Sequence, residues 1–363
     1  MRQFKNKVVL ITGHTGFKGS WLALLLTHLG AKVVGISNEE VSNPSNFSVS
    51  KIANIVKDIR FDIRDSVAVK RLVKEMQPDF LFHLAAQALV RPSYKDPLET
   101  MTTNAIGTAN ILDALKALDK KVVAVMITSD KVYDNVEWEW GYRETDRLGG
   151  KDPYSASKGM AELAIRSYVD SFFNKPESKI RLGIARAGNV IGGGDWATDR
   201  IVPDCMKAWA MSKSVDVRNP LATRPWQHVL EPLSGYLALA IDLEKDNKNH
   251  GRAYNFGPNA SQNHSVAQLI DEMAGYWDKV KWNNISDQSV HLHEAGLLKL
   301  NCDKALFHLN WTPTLGFEKT VEMTVKWYKY FYQNEGKAQS MHDFTMAQIK
   351  EYLELFRVAQ NRD

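Results

Sequence analysis

Tyr154 and Lys158 stand four residues apart, a spacing that puts both side chains on one helix face. An ordinary tyrosine loses its proton only near pH ~10. A neighbouring ammonium favours the anion, as does a cationic ring. Such a tyrosine takes the proton of an alcohol while a hydride leaves the same carbon. A second polar group, Thr128-Ser129-Asp130-Lys131, closes the apolar run VVAVMI. In an open parallel sheet, ligands collect beyond the carboxyl ends of the strands. These four residues are therefore candidates for the reacting centre, and a capping or turn cluster is their plainer role.

A third motif supplies what a hydride transfer needs. Gly13, Gly16 and Gly19 have the spacing GxxGxxG between the run KVVLIT and the apolar stretch SWLALLLTHLG. Small residues let the chain turn sharply there and approach a pyrophosphate closely. The following helix then points its free N–H groups at the phosphates. A dinucleotide site is the expected reading. The second apolar run, KVVGIS, ends at Ser37-Asn38 with Glu39 beyond and no arginine for a 2′-phosphate. That favours NAD over NADP.

These groups need a frame. Short β-branched runs at 7–13, 32–37, 55–58, 80–86, 122–130 and 181–188 predict buried strands. Helical patterns fall between them at 20–30, 66–76, 104–118 and 155–173. Strands alternating with helices predict an α/β fold, a Rossmann-type doubly wound parallel sheet covered on both faces. The pattern changes after 188, where Gly192–Gly194 and prolines appear. AYNFGP at 253–258 reads as one more strand, and Phe317–Tyr332 and Ser340–Val358 as amphipathic helices. The expected organisation is an NAD-binding domain of 1–188 plus about 229–258. A smaller, discontinuous substrate domain takes about 189–228 and 259–363.

The composition narrows the function classes. Lys+Arg 46 against Asp+Glu 42 gives +4 over 363 residues, with the basic residues scattered. No nucleic-acid partner is expected, and an anionic small substrate is compatible. No apolar run approaches the ~18–20 residues of a membrane helix, so no membrane partner is expected. The apolar stretch Val8–Ile11 is too short for a signal peptide. Cys205 and Cys302 are far apart and form no CxxC, which favours a reducing cytoplasm. His291 and His293, beside Glu294, share a strand face, but exposed histidines are the better reading and no metal is expected.

Together the motifs resemble a known family. The glycine spacing is similar to that of the extended short-chain dehydrogenase/reductase superfamily. Within it, GHTGFKGSWL (13–22), TSDKVYDN (128–135), GGKDPYSASKGMAEL (149–163), ARAGNVIGGGDWATDRIVPD (185–204) and RPWQHVLEPLSGYLALA (224–240) resemble the CDP-glucose 4,6-dehydratases. The resemblance covers nearly the whole chain. It implies a reaction on a nucleotide sugar that consumes no net oxidant. Tyr154 would take the 4-hydroxyl proton, with Lys158 beside it and Ser129 hydrogen-bonded to the same oxygen. Lys131 would remove the proton on carbon 5, and Asp130 would protonate the departing 6-hydroxyl.

The resemblance also implies cofactor contacts from Gly13, Thr15, Gly16, Phe17 and Gly19, from Asp62 and Ile63, and from Ala85 and Ala86. Tyr154 and Lys158 would touch the cofactor too. Gln87, Asn189, Arg200, Arg224 and His228 would meet the substrate, with Arg224 suited to a diphosphate. Trp138, Trp140 and Trp226 could stack on a base or equally serve as core or lid packing. The resemblance further implies a homodimer. The excess apolar residues Ile106, Ile111 and Leu115 on one helix, and Met160, Leu163 and Tyr168 on another, are consistent with a helix interface.

The sequence departs from relatives in places. The dehydratases acting on dTDP-glucose carry glutamate where Lys131 stands, and a lysine acts as a base only when neutral. Val132 and Asp134 replace the cysteine and glutamate common in the CDP-glucose enzymes. A dehydratase for another nucleotide sugar and a sugar-nucleotide 4-epimerase are the enzymatic alternatives. An NAD-sensing regulatory protein is the non-enzymatic one. The adjacent Asp130-Lys131 speaks against the epimerase, and Ser129 together with Tyr154 and Lys158 against the sensor.

Overall fold

The structure is a computed structural model that describes residues 1–286, 297–334 and 338–360. Six runs of β-branched residues become the strands β1 (Val8–Thr12), β2 (Lys32–Ser37), β3 (Lys57–Arg60), β4 (Phe80–His83), β5 (Val122–Ile127) and β6 (Ile180–Ala187). A seventh strand, Ala253–Phe256, returns from the second half and pairs with β6. The order across the sheet is Ala253–Phe256, β6, β5, β4, β1, β2, β3, with every neighbour parallel.

Side chains alternate between the two faces of this sheet. Val9, Ile11, Phe80, Phe82, Val123 and Val125 enter one core with the helices Phe17–His28 and Leu230–Lys245. Leu10, Val34, Leu81, Ala124 and Met126 enter the other. There they meet the helices Ser66–Met76, Gly107–Lys116 and Pro153–Tyr168. Double coverage is why the strands read as continuous apolar runs.

The strand order reverses between β1 and β4, so the loops after these strands diverge to opposite faces and leave a crevice. The segments bordering it begin at Gly13, Leu84, Thr128, Gly188 and Gly257. Short two-stranded sheets lie beyond the carboxyl edge. Val190–Ile191 pairs with Gln227–His228, Thr223–Arg224 with His264–Ser265, and Val215–Val217 with Trp282–Asn284. Among the described residues no helix is long and apolar enough to cross a membrane.

Several boundaries differ from the sequence reading. The third strand lies at Lys57–Arg60, two residues later than expected, because Ile52–Asn54 forms a short helical turn first. The run FLFHLAA stops pairing at His83, and the run ending at Asp130 stops at Ile127. Both freed ends become loops at the crevice. The helix expected at 155–173 is α-helical to Tyr168 and continues as a π turn, Val169–Phe173.

The surplus apolar residues divide in two. Ile111 and Leu115 are fully buried against the sheet and present nothing to a partner, and Tyr168 packs on the same core. Ile106, Met160 and Leu163 are exposed, and Leu98 beside them is 73% exposed.

Candidate active site

The glycine loop is shaped by close approach. Gly13 has φ +76°, and a Cβ there would stand 2.7 Å from the Ala85 nitrogen. The loop after β1 thus lies directly on the loop after β4. Gly19 is tighter, since its Cβ would stand 2.0 Å from the Gly13 oxygen. A Cβ on Gly16 would meet only that same oxygen, at 3.4 Å, so the outer side of the loop is open. Gly16 also caps the helix Phe17–His28 without a side-chain acceptor. The first N–H groups of that helix are available to an anion. Phe17 follows at the base of the loop, near Gly192.

Other expected cofactor residues make bonds and contacts within the protein. The Thr15 hydroxyl donates to the Glu39 carbonyl at 2.7 Å and bonds Ser37 at 2.7 Å, tying the loop to the end of β2. His14 is fully buried below it, with Nε2 2.8 Å from Asp58 Oδ1. Asp62 accepts from the Arg64 backbone and guanidinium, which hold its carboxyl below the usual range despite partial burial. Ile63 packs under Gly107. The Ala85 N–H donates to Thr12 Oγ1, and Ala86 follows it in the loop.

The sequence reading found no arginine at the end of β2, but the fold brings one there. Arg60 is the register partner of Ser37 on β3. Asp58 holds its guanidinium at 2.8 Å, with Glu40 at 3.8 Å, so its charge is already offset.

The reacting groups converge from β5 and the helix Pro153–Tyr168. Asp152 starts that helix by accepting from the Ser155 N–H at 2.9 Å, and Pro153 takes the first position. Tyr154 and Lys158 therefore sit in its first two turns, both buried. Ser129 caps a short turn, Asp130–Val132, by accepting from the Lys131 N–H. Its hydroxyl donates to Asp130 Oδ1 at 3.0 Å. Lys131 leaves the turn half-buried.

Electrostatics separate the roles of these groups. Burial pushes the Asp130 carboxyl above the usual range, against the pull of Lys131 and the Ser129 hydrogen bond. Burial likewise pushes the Tyr154 phenol up to about 12, with Asp130 adding to it. Lys158 is not among the main influences on it. The strongest opposing groups are the hydrogen-bonding Ser129 hydroxyl and the charge of Arg200. Burial pushes the Lys158 ammonium down to about 8, opposed by Glu162.

The expected substrate residues fare differently. Arg200 is brought to the site, where it is held by Asp195 Oδ2 at 2.6 Å and contributes positive charge to Tyr154. Asn189 follows Gly188, which touches Asp130. Arg224 precedes Pro225, which lines a small cleft together with Asp130, Gly188, Gln227, Gly257 and Lys299. Gln87 spends its side chain locally, donating to Leu89 O and Thr100 and accepting from the Leu89 N–H.

His228 is not brought to this cleft. It is fully buried edge-on against Trp21, and burial pushes its imidazole down to about 3. The motif RPWQHV placed it one residue from Gln227, but the strand Gln227–His228 turns successive side chains to opposite sides. Of the tryptophans, Trp226 is buried and donates to the His264 carbonyl. Trp138 packs on Tyr142, and Trp140 is exposed. His291 and His293 lie outside the described residues. No group of His, Cys, Asp or Glu able to hold a metal is present among the described ones.

Three residues escaped the sequence reading. Lys18, in the first turn after the glycine loop, is pushed down to about 8 by burial, with Arg200 and Lys158 adding to it and Asp130 opposing. Glu162 and Arg186 form a buried ion pair behind the reacting groups. Glu162 was legible as the next member of the four-residue spacing Tyr154, Lys158, Glu162. Arg186 was legible as a charge inside an apolar strand, which requires a partner.

The family model described as GDP-mannose 4,6 dehydratase matches residues 10–324. The chain belongs to this family. Within the GDP-mannose 4,6-dehydratase family, it is 44% identical to the CDP-glucose 4,6-dehydratase of Salmonella typhimurium, over 92% of this chain and 93% of that one. It is 24% identical to the CDP-paratose 2-epimerase of Salmonella typhi, over 88% of this chain and 98% of that protein. The fold matches UDP-glucose 4-epimerase from Stenotrophomonas maltophila, solved with NAD and a formylated UDP-arabinopyranose, with a TM-score of 0.77. That likeness covers 91% of this chain and 100% of that one at 21% identity, and it concerns the fold.

Proposed function

We propose that this protein converts CDP-glucose to CDP-4-keto-6-deoxyglucose, with NAD recycled within each turnover. The observation that carries elimination is Asp130. It is a carboxyl buried against Ser129, and burial raises it above the usual range, the direction that suits a proton donor. A 4-epimerase has no use for such an acid. Identity of 44% with the Salmonella typhimurium enzyme supports CDP-glucose as the substrate.

The residues present fit NAD. Gly13, Gly16 and Gly19 leave a loop open on one side, and the uncapped helix start beyond it suits a pyrophosphate. Arg60, already held by Asp58 and Glu40, suits a ribose without a 2′-phosphate. Held by that loop and helix start, NAD would supply a hydride acceptor for carbon 4 and, once reduced, a hydride donor for carbon 6. Tyr154 takes the 4-hydroxyl proton, with Ser129 hydrogen-bonded to the forming carbonyl oxygen and Lys158 contributing charge. The ketone acidifies the proton on carbon 5, which Lys131 removes. Asp130 gives its proton to the departing 6-hydroxyl, which leaves as water. Lys131 then returns a proton to carbon 5 as carbon 6 is reduced, and the proton taken by Tyr154 passes to solvent while Asp130 takes one back, which restores both groups.

On this reading, the segments 189–228 and 259–363 form the substrate domain, with Arg200 and Arg224 as its diphosphate ligands. The protein works in the cytoplasm as a homodimer, supplying deoxysugars for lipopolysaccharide. The test is to offer the purified protein CDP-glucose, dTDP-glucose and UDP-glucose, then identify products by mass and by the alkaline absorbance of 4-keto-6-deoxy sugars. Loss of one water from CDP-glucose is expected. A product of unchanged mass with carbon 4 inverted would replace this reading with the epimerase. Preference for another nucleotide would overturn the base assignment alone.

A further inference from the structure

Glu162 and Arg186 are among the most deeply buried charges of the protein, at 3% and 1% exposure. They meet side by side. Arg186 Nε donates to Glu162 Oε1 at 2.7 Å, and a second guanidinium nitrogen donates to Oε2. A buried pair of this kind adds little stability over apolar residues of the same shape. What it touches is more telling. Thr128 Oγ1 donates to Glu162 Oε1 at 2.7 Å. Arg186 donates to the Tyr133 hydroxyl at 2.7 Å, and its guanidinium stacks on that ring.

Thr128 and Tyr133 are the two residues that bracket Ser129, Asp130, Lys131 and Val132. One end of the turn is therefore fastened to Glu162 and the other to Arg186. Glu162 lies on the same helix as Tyr154 and Lys158, four residues past Lys158 and on the same face. Arg186 lies on β6, the next strand to β5. The Tyr133 hydroxyl continues to Asn255 Oδ1 at 2.7 Å, and Asn255 donates to the carbonyls of Tyr142 and Asn301. The clamp thus reaches from the reacting helix to the segments on the far side of the cleft.

We propose that the Glu162–Arg186 pair is a positioning element that sets the Ser129–Lys131 turn against Tyr154 and Lys158, and that it controls elimination more than oxidation. This rests on the dehydratase reading above. Oxidation depends chiefly on Tyr154 and Lys158, which their own helix carries. Elimination depends on Asp130 and Lys131, which only the bracketed turn carries. A small displacement of an acid–base pair costs rate steeply.

The test leaves the ion pair intact and cuts each fastening separately. Thr128→Val removes one hydroxyl without changing shape, Thr128→Ser restores it, and Tyr133→Phe removes the other. Each of Thr128→Val and Tyr133→Phe should lower kcat about tenfold with KM within about twofold, and Thr128→Ser should recover most of the loss. In single turnover the reduced-nicotinamide absorbance should accumulate, and solvent deuterium should enter carbon 5 more slowly. Wild-type turnover in both variants would overturn the proposal. So would oxidation and elimination slowing together, with no reduced cofactor accumulating. Thermal melting identifies a variant that has simply unfolded. If Tyr133→Phe does so, the comparison of Thr128→Val with Thr128→Ser decides. A wild-type protein that does not dehydrate CDP-glucose counts against the function proposed above and is scored separately from the ratio between variants.

Discussion

A methyl group on Gly188 would stand 2.6 Å from Asp130 Oδ2, so the loop after β6 forms the seat of the acid after β5. Gly188→Ala tests that seat. The atom in the way is the end of a side chain rather than backbone, so the carboxyl can swing aside and the fold should survive. The swing takes it from the Ser129 hydroxyl. The expected result is a fall in kcat of about tenfold or more at nearly unchanged melting temperature. Unchanged turnover would mean that the orientation of Asp130 does not limit the reaction.

Tyr154→Phe should remove most activity and leave the fold. The ring is buried and stays so, while the hydroxyl beside Ser129 is lost. General acid–base losses run to about 10²–10⁴-fold. Nucleotide binding, measured by calorimetry, should persist. Near-normal turnover would remove Tyr154 from the reaction.

Much of this was legible in the sequence because the sheet is covered on both faces. A strand such as VVAVMI has no polar side, so polar residues at its end announce the site. The glycine loop was legible for a similar reason, since close backbone contact such as Gly13 on Ala85 excludes side chains. What failed needed tertiary neighbours. Arg60 is 23 residues from Ser37 in sequence and becomes its partner only when β2 and β3 pair. His228 sits in a motif of functional residues, yet strand alternation turns it into the core. Ile111 and Leu115 had the same apolar character as Ile106, and only the sheet behind them separates core from surface.

Acid should destabilise the protein through His83 and His228. Both are buried, and burial pushes each from 6.5 down to about 3, with Lys158 adding to the effect at His83. The unfolded chain binds protons below pH ~6.5 that the folded protein refuses. The stability is therefore complete above that pH and is lost as pH falls toward 3. Each histidine costs about 1.4 kcal/mol per pH unit in that window. Urea unfolding of the wild type and of His228→Gln, which keeps an acceptor for the Leu230 N–H, isolates one imidazole from the raised carboxyls of Glu231 and Asp204, which titrate with the opposite sign. Between pH 8 and 5 the difference between the two proteins should change by about 1.4 kcal/mol per pH unit below pH ~6.5. A constant difference would mean that the His228 imidazole is not held neutral.

Leu98, Ile106, Met160 and Leu163 form an exposed apolar surface where the segments 97–106 and 153–168 pack together. Exposed patches of this kind mark interfaces. Light scattering should give the mass of two chains for the wild type, and Leu163→Glu should halve it by burying an unpaired charge. A wild type with the mass of one chain would count against a homodimer.

Lys131→Ala should separate the two halves of the reaction. Tyr154 and Lys158 remain on their helix, so the 4-hydroxyl can still lose its proton. The Ser129 cap of the turn loses nothing, because the bond it receives comes from the backbone N–H of residue 131. What disappears is the amine that takes the proton from carbon 5, together with the positive charge that favours the ionised form of Asp130. Loss of that charge moves Asp130 further in the direction of the acid, with no carbanion to act on. Reduced-nicotinamide absorbance should rise and persist in single-turnover mixing, and solvent deuterium should not enter carbon 5. Normal turnover would assign the proton on carbon 5 to another group or to a water relay. Loss of the absorbance rise itself would show that Lys131 is needed already for oxidation, which would make it part of the charge around Tyr154 rather than the base.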